Sequence, residues 1–136
     1  MATQTRYSDF DIMFSKNEFT GDVGVRRELN SVKQSIMNLI MTRKGERPFN
    51  PTYGIGLHDL LFQNFSLPIL VATLNRDIEE HIDAFEPRAV FDSLEFGDDS
   101  EIDANSVSIT FNYFVLNERR EITTTDSLTV GIKKVR

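Results

Sequence analysis

Thr42 to Phe62 reads TRKGERPFNPTYGIGLHDLLF, and the way this stretch bends decides how the elements on either side can meet. It contains Gly45, Gly54 and Gly56 out of seven glycines, and Pro48 and Pro51 out of four prolines. Gly45 suits the left-handed residue just past a helix C-terminus, with Arg43 and Lys44 placed to meet the last carbonyls. Pro48 and Pro51 fix φ and push Arg47 and Asn50 towards extended conformations, so Arg47–Pro51 reads as a turning strap that carries Phe49. Tyr53-Gly54-Ile55-Gly56 turns the chain again into a short helix, Leu57–Phe62, in which Leu57, Leu60 and Leu61 share a face. An ordinary helix-to-helix connection is the plain alternative.

Working outward, Leu29, Val32, Ile36, Leu39, Ile40 and Arg43 recur at steps of three and four, the stripe of an amphipathic helix widened by Met37 and Met41. Its start is open: Ser31 and Gln34 have capping-box spacing, yet Val25–Glu28 also reads as a first turn. Upstream, residues 1–24 scatter Tyr7, Phe10, Ile12, Met13, Phe14, Phe19 and Val23 without a period. They are expected to form an extended arm that lies over its own domain or orders against a neighbour. Downstream, a second long helix is expected over Leu67–Phe85, with Ser66 as its cap and Pro68 in its first turn. Leu67, Leu70, Val71, Leu74, Ile78, Ile82 and Phe85 would be its inner face, and Asn75, Arg76, Asp77, Glu79, Glu80 and Asp83 its outer one.

Pro87 ends that helix by forcing Glu86 out of the helical region, and β structure follows. A strand is expected over 88–97, then a turn at Gly97-Asp98-Asp99-Ser100. Val107, Ile109, Phe111, Tyr113 and Val115 alternate with Ser106, Ser108, Thr110 and Asn112. After a turn at Asn117–Arg120, Ile122 and Thr124 resume alternation, a break is expected near Asp126 and Ser127, and Leu128, Val130 and Ile132 complete a third strand. The fold class is therefore α+β. Two long helices and a short one pack on one face of a three-stranded antiparallel meander, with residues 1–24 as the arm and 25–136 as a single domain.

The 136 residues suffice for one core without metal or disulfide. The absence of cysteine excludes thiolate catalysis and zinc–thiolate sites, and His58 and His81 have no companions at metal-ligand spacing, so no cofactor or metal is expected. A net charge of −6 argues against a nucleic-acid partner, the small basic clusters Arg43/Lys44/Arg47 and Lys133/Lys134/Arg136 notwithstanding. No apolar run approaches the roughly 20 residues that span a bilayer, and MATQTRYSDFDIMF lacks the pattern of a signal peptide, so a soluble protein made in a cytoplasm is expected.

YSDFD at Tyr7–Asp11, SVKQSIMNLIMTRKGERPFNPTYGIGLHDLLF at Ser31–Phe62, and Glu86-Pro87-Arg88 together resemble the baseplate wedge and sheath-initiator family of contractile-tailed phages, with its relatives in type VI secretion systems. The resemblance implies a structural protein of the virion tail baseplate, assembled in the host cytoplasm. Its partners would be the other wedge proteins, through their helical core bundle, and the tail sheath subunit by β-strand addition, with the tail tube or hub as further neighbours. The family's Glu-Pro-Arg motif is associated with holding the wedge bundle and maps onto Glu86, Pro87 and Arg88. Pro87 would rigidify the corner so that Glu86 and Arg88 project towards partner helices, with Arg47 beside them. The plain alternative is a pair of surface charges worth at most about 1 kcal/mol. The last strand, with Leu128, Val130 and Ile132, would offer the sheath-docking edge. Its terminal charges equally suit simple edge protection.

The competing reading is a peptidoglycan hydrolase, since some members of that family are described as lysozyme-like. It needs two carboxyl groups roughly 5 to 9.5 Å apart, and Glu46, Asp59 and Glu86 are the candidates. No pattern forces them into a cleft, so no catalytic residue is assigned. A free-standing soluble adaptor is a third reading.

Overall fold

The computed structural model describes residues 7–61, 66–97, 106–117 and 119–133. In chain order they form β1 (Ser8–Phe10), β2 (Val25–Arg27), α1 (Leu29–Met41), α2 (Leu57–Leu61), α3 (Leu67–Phe85), β3 (Ala89–Phe96), β4 (Ser106–Leu116) and β5 (Ile122–Lys133). Helix and strand are mixed. The larger sheet is the expected three-stranded antiparallel meander, in the order β3-β4-β5.

The N-terminal segment turns back on itself. β1 pairs antiparallel with β2, matching Ser8 with Arg27 and Phe10 with Val25, and an isolated bridge joins Lys16 to Val23. Val25–Arg27 is thus strand and not a first helical turn. Glu28 reverses the chain at φ 50° and α1 begins at Leu29. Ser31 and Gln34 consequently lie inside the helix and form no capping box. Gln34 instead reaches the hairpin, donating through Nε2 to the Phe10 carbonyl at 2.6 Å and accepting from the Ile12 amide at 3.1 Å. Val32, Ile36, Leu39 and Ile40 are buried along one stripe, as their spacing requires.

α1 stops at Met41, before Arg43 and Gly45. Its end is closed by the chain that follows: Thr42 donates to Asn38 O through both its amide (3.0 Å) and its hydroxyl (2.6 Å), and the Ile55 amide donates to Leu39 O at 3.1 Å. Backbone thus satisfies carbonyls that the basic residues were expected to meet. Arg43 pairs with Asp59 (3.4 Å) and Lys44 with Asp77 (3.5 Å). Gly45, at φ +81°, serves a turn whose amide bonds Pro51 O at 3.0 Å. Gly54 is the residue that lets the strap close against the helix end: its φ is +107°, and a Cβ there would collide with the Thr42 carbonyl. Tyr53, Ile55 and Leu57 are core residues, whereas Phe49 is fully exposed.

α3 has the expected bounds. Ser66 sits at its N-cap in extended conformation without a capping side-chain bond. Asp77, expected outside, is buried and held by Lys44 and by Arg76 at 3.1 Å. One core cluster joins α1, the strap, α2, α3 and the sheet, including Leu74, Ile78 and Ile82 from α3 and Ile109, Phe111 and Tyr113 from β4. Full burial of each such aliphatic side chain is worth roughly 1.5–3 kcal/mol.

β5 runs without the break expected near Asp126 and Ser127. Asp126 lies opposite Tyr113 on the inward side of the strand, and its Oδ2 accepts the Tyr113 hydroxyl at 2.7 Å. A fully buried phenol needs an acceptor, and this carboxylate at the margin of the core supplies it. The 117–121 turn is tied by Asn117, whose Oδ1 accepts from the Arg119 and Glu121 amides, both at 2.9 Å. The turn expected at Asp98–Ser100 lies outside the described residues, as do Phe62 and the terminal Lys134 and Arg136.

Candidate functional site

Glu86 closes α3. Its amide donates to Ile82 O at 2.8 Å, its φ and ψ (−131° and 76°) leave the helical region ahead of Pro87, and its carbonyl accepts from the Ala89 amide at 3.2 Å. This tight turn folds the side chains of Glu86 and Arg88 onto each other. Arg88 donates from Nε to Oε1 at 2.5 Å and from Nη2 to Oε2 at 2.8 Å, a two-pronged pair that occupies both carboxylate oxygens. Glu86 is only 2% exposed, while Pro87 is exposed and Arg88 partly so.

Glu86 therefore turns inward where projection was expected, and its ion-pair partner is Arg88, whose side chain is partly covered. The third arm of the guanidinium, Nη1, donates to Ser31 Oγ at 3.2 Å, and the Tyr7 ring lies 5.3 Å below it. Hydrogen bonding to Glu86 holds the Arg88 pKa above its ordinary value, against the opposing effect of burial.

Arg47 lies on the adjoining strap, exposed, with its guanidinium 3.7 Å above the Tyr53 ring. Tyr53 meets Phe85 edge-to-face at 5.1 Å, so a continuous stack connects Arg47 to the residue before Glu86. Burial raises the Tyr53 pKa, Arg47 opposes that, and the charge of Glu86 adds to it. Beside this stack opens a cleft of about 530 Å³ between the strap and α3, lined by Lys44, Pro51, Glu80, His81 and Phe85 among others. The His81 ring lies 2.7 Å from Asp77 O through Nδ1. Among the described residues, no group of acids and histidines is arranged to hold a metal ion, and no helix is long and apolar enough to cross a membrane.

Each of the three hydrolase candidates has a partner, and two of them share Arg43. Glu46 accepts from the Arg43 amide at 2.8 Å, Asp59 pairs with the Arg43 side chain, and Glu86 is taken up by Arg88. The cleft is lined by a single carboxylate, Glu80, among the described residues.

Leu128 and Val130 are each 6% exposed and belong to the core, so their side chains are not available at an edge. Ile132 lies in the strand, opposite Val107. What the edge does offer follows from the hydrogen-bond parity of β4. Leu116 donates to Arg88 O (2.8 Å) and Ser108 accepts from the Gly97 amide (2.9 Å), so the even-numbered residues of β4 direct their main chain towards β3. Its odd-numbered residues then turn to β5, where Tyr113, Phe111 and Ile109 face Asp126, Leu128 and Val130. The intervening Thr125, Ser127, Thr129 and Gly131 are left with main-chain donors and acceptors on the open side, and all four are solvent-exposed.

Sequence reading located the corner, the strap and the last strand. It missed Tyr7, Ser31, Tyr53 and Asp126 as the groups that hold them. Tyr7 stood in the opening YSDFD motif, a usable signal; Ser31 shares its side of the helix with Gln34, Ser35 and Asn38, so helical spacing gave no sign that it is buried.

Comparison with solved structures shows the same fold in several proteins. The anti-feeding prophage baseplate contains a chain that superimposes with a TM-score of 0.60 at 24% identity, over 96% of this chain and 87% of that one. A protein described as a tail lysozyme from Geobacter sulfurreducens gives 0.57 at 22%, over 77% and 89%. A chain of the postcontracted pyocin R2 baseplate gives 0.51 at 16%, over 89% and 98%. In sequence, the baseplate wedge protein gp25 of Enterobacteria phage T4 is 42% identical over 82 residues, which is 60% of this chain and 61% of that relative's length. The model of the baseplate wedge protein gp25 family matches residues 26–120, a range that takes in the strap and Glu86-Pro87-Arg88 and omits Tyr7–Asp11. By that match the chain belongs to the baseplate wedge protein gp25 family.

Proposed function

We propose that the chain acts by binding alone, as a structural wedge protein of a contractile-tail baseplate that starts sheath polymerisation on the free side of β5. In this reading the helices cover one face of the sheet, the Glu86–Pro87–Arg88 corner and Arg47 hold the helical core of the wedge, and the tail tube or hub lies nearby. The observation that carries it is the outward parity of Thr125, Ser127, Thr129 and Gly131: four consecutive outward positions on a twelve-residue strand, presented by small residues that contribute nothing to the core. An added strand gains main-chain hydrogen bonds there without displacing a buried side chain.

Among the described residues the cleft carries one carboxylate, Glu80, and Arg88 engages Glu86; both favour this reading over peptidoglycan hydrolysis. The test is complementation of a particle lacking the gene with Ser127→Pro, viewed by electron microscopy. Proline removes an outward amide and leaves the β4–β5 bonds and the core in place. Sheathless tubes on complete baseplates are expected. Full-length sheaths would refute docking at this edge, and normal tails that fail only to breach a cell wall would restore the hydrolase.

A further inference from the structure

We propose that Glu86 and Arg88 are positioning residues that lock the N-terminal β-hairpin in place, acting through Tyr7. The guanidinium of Arg88 stands where three elements meet: Glu86 at the end of α3, Ser31 on the inner side of α1, and Tyr7 at the base of β1. Glu86 and Ser31 fix it from two sides, so the face it turns to Tyr7 is set by the packed body of the protein.

Tyr7 in turn anchors the hairpin. Its hydroxyl reaches Leu116 O at 3.5 Å, its carbonyl accepts from the Glu28 amide at 2.8 Å, and β1 begins at the next residue. Gln34 makes a second tie further along, at Phe10 and Ile12. Asp11 closes the hairpin internally through Ser15 Oγ and Arg26 Nε, the latter at 3.1 Å. Both strands are exposed and pair over three residues, and an isolated two-stranded ribbon of that size is marginal in water. Where the hairpin lies therefore depends on these few ties, and the Arg88–Tyr7 contact sits at its root.

The arrangement accounts for the opening motif: Tyr7 supplies the ring, Phe10 the carbonyl for Gln34, and Asp11 the internal closure. It also gives Glu86 a task compatible with its burial. A carboxylate with both oxygens on Arg88 cannot reach a partner without releasing the lock.

The test is amide hydrogen exchange on the isolated full-length chain, comparing wild type with Arg88→Gln, Tyr7→Ala, Tyr7→Phe and Gln34→Ala. Arg88→Gln and Tyr7→Ala should each speed exchange at the Asp11, Gly24 and Glu28 amides by about tenfold or more, with β4 amides little changed. Tyr7→Phe keeps a ring beneath the guanidinium and should retain most of the protection, and Gln34→Ala should loosen Ile12 ahead of Glu28. Unchanged exchange across 8–27 in both Arg88→Gln and Tyr7→Ala overturns the proposal. So does acceleration spread evenly over α1, α3 and β4, which marks general destabilisation. If Arg88→Gln does not fold, Tyr7→Ala decides alone.

A second arm rests on the wedge reading: Tyr7→Ala should impair wedge assembly as Arg88→Gln does. Exchange altered as expected with assembly intact in both variants upholds the lock and counts against the wedge reading. Assembly lost in Arg88→Gln with hairpin exchange unchanged assigns the corner to direct contact and overturns the lock.

Discussion

Replacing Asp126 by valine should destabilise the protein, although it puts a good strand former at an inward position of a sheet. The Tyr113 hydroxyl is fully buried and is bonded to Asp126 Oδ2 at 2.7 Å. Removing the carboxylate strands that hydroxyl at a cost of about 2 kcal/mol, within the 1–3 typical of an orphaned buried group. The 3.9 Å contact of Asp126 with Lys33, whose side chain is 41% exposed, adds little. Tyr113→Phe leaves a carboxylate that is 20% exposed and can turn to water, so it should cost only about 1 kcal/mol. The double variant Tyr113→Phe/Asp126→Val leaves neither group without a partner and should lie near wild type. The coupling is then about 3 kcal/mol, at the upper end for residues in contact. Urea unfolding monitored by far-ultraviolet circular dichroism measures all four corners of the cycle. For a chain of this length each kcal/mol moves Tm by roughly 3 °C, so the Asp126→Val single should melt about 6 °C lower. Additive effects, with the double variant at about 3 kcal/mol below wild type, would refute the claim that Asp126 is there for the Tyr113 hydroxyl.

Burial, with help from Asp126, pushes the Tyr113 pKa far above its ordinary value, so the folded state resists ionisation of this phenol. Stability from this source is complete below the unfolded phenol value of about 10 and declines as pH rises beyond it; Tyr113→Phe should flatten that decline in melts taken from pH 9 to 11. Asp11 shifts the opposite way, lowered chiefly by the Ser15 hydroxyl; burial opposes this as the next largest effect, and Arg26 and the Met13 amide add to the lowering. Its contribution is present above the unfolded carboxylate value of about 3.9 and lost as pH falls through the lower folded value, so hairpin amides should lose protection in acid, and Asp11→Asn should lose it already at neutral pH. Gly54→Ala, which drives a Cβ into the Thr42 carbonyl, should cost more than about 2 kcal/mol, whereas Gly45→Ala meets open space and should cost roughly 1 kcal/mol for its positive φ alone; equal losses in thermal melts would refute the close approach.

Elements whose side chains repeat with a period were legible in the sequence. α3 has seven apolar positions at helical spacing, and β4 alternates from Ser106 to Tyr113, so the local pattern of each marks its element. The hairpin had no such signal, because its short strands are exposed on both faces and are fixed by Gln34 and Tyr7, contacts made across the fold. Asp126 read as a break since a charged inward residue contradicts alternation; only Tyr113, opposite it in the sheet, explains it. The site was legible as position and not as direction. Pro87 announced a rigid corner, but whether Glu86 faces out or in depends on Arg88 being held by Ser31, 57 positions away in the chain.

The pairing of Tyr113 with Asp126 also bears on how β4 and β5 find their alignment. A slip of one residue would turn the apolar side of β5 to water and is self-penalising. A slip of two preserves inside and outside, and the hydrophobic pattern alone scarcely discriminates against it. In one direction it would set Asp126 opposite Phe111, a buried carboxylate against a ring with no donor; in the other it would set Leu128 opposite the Tyr113 hydroxyl. The polar pair thus favours the native alignment of β4 with β5 over its two-residue slips, a discrimination that inside–outside alternation alone does not supply.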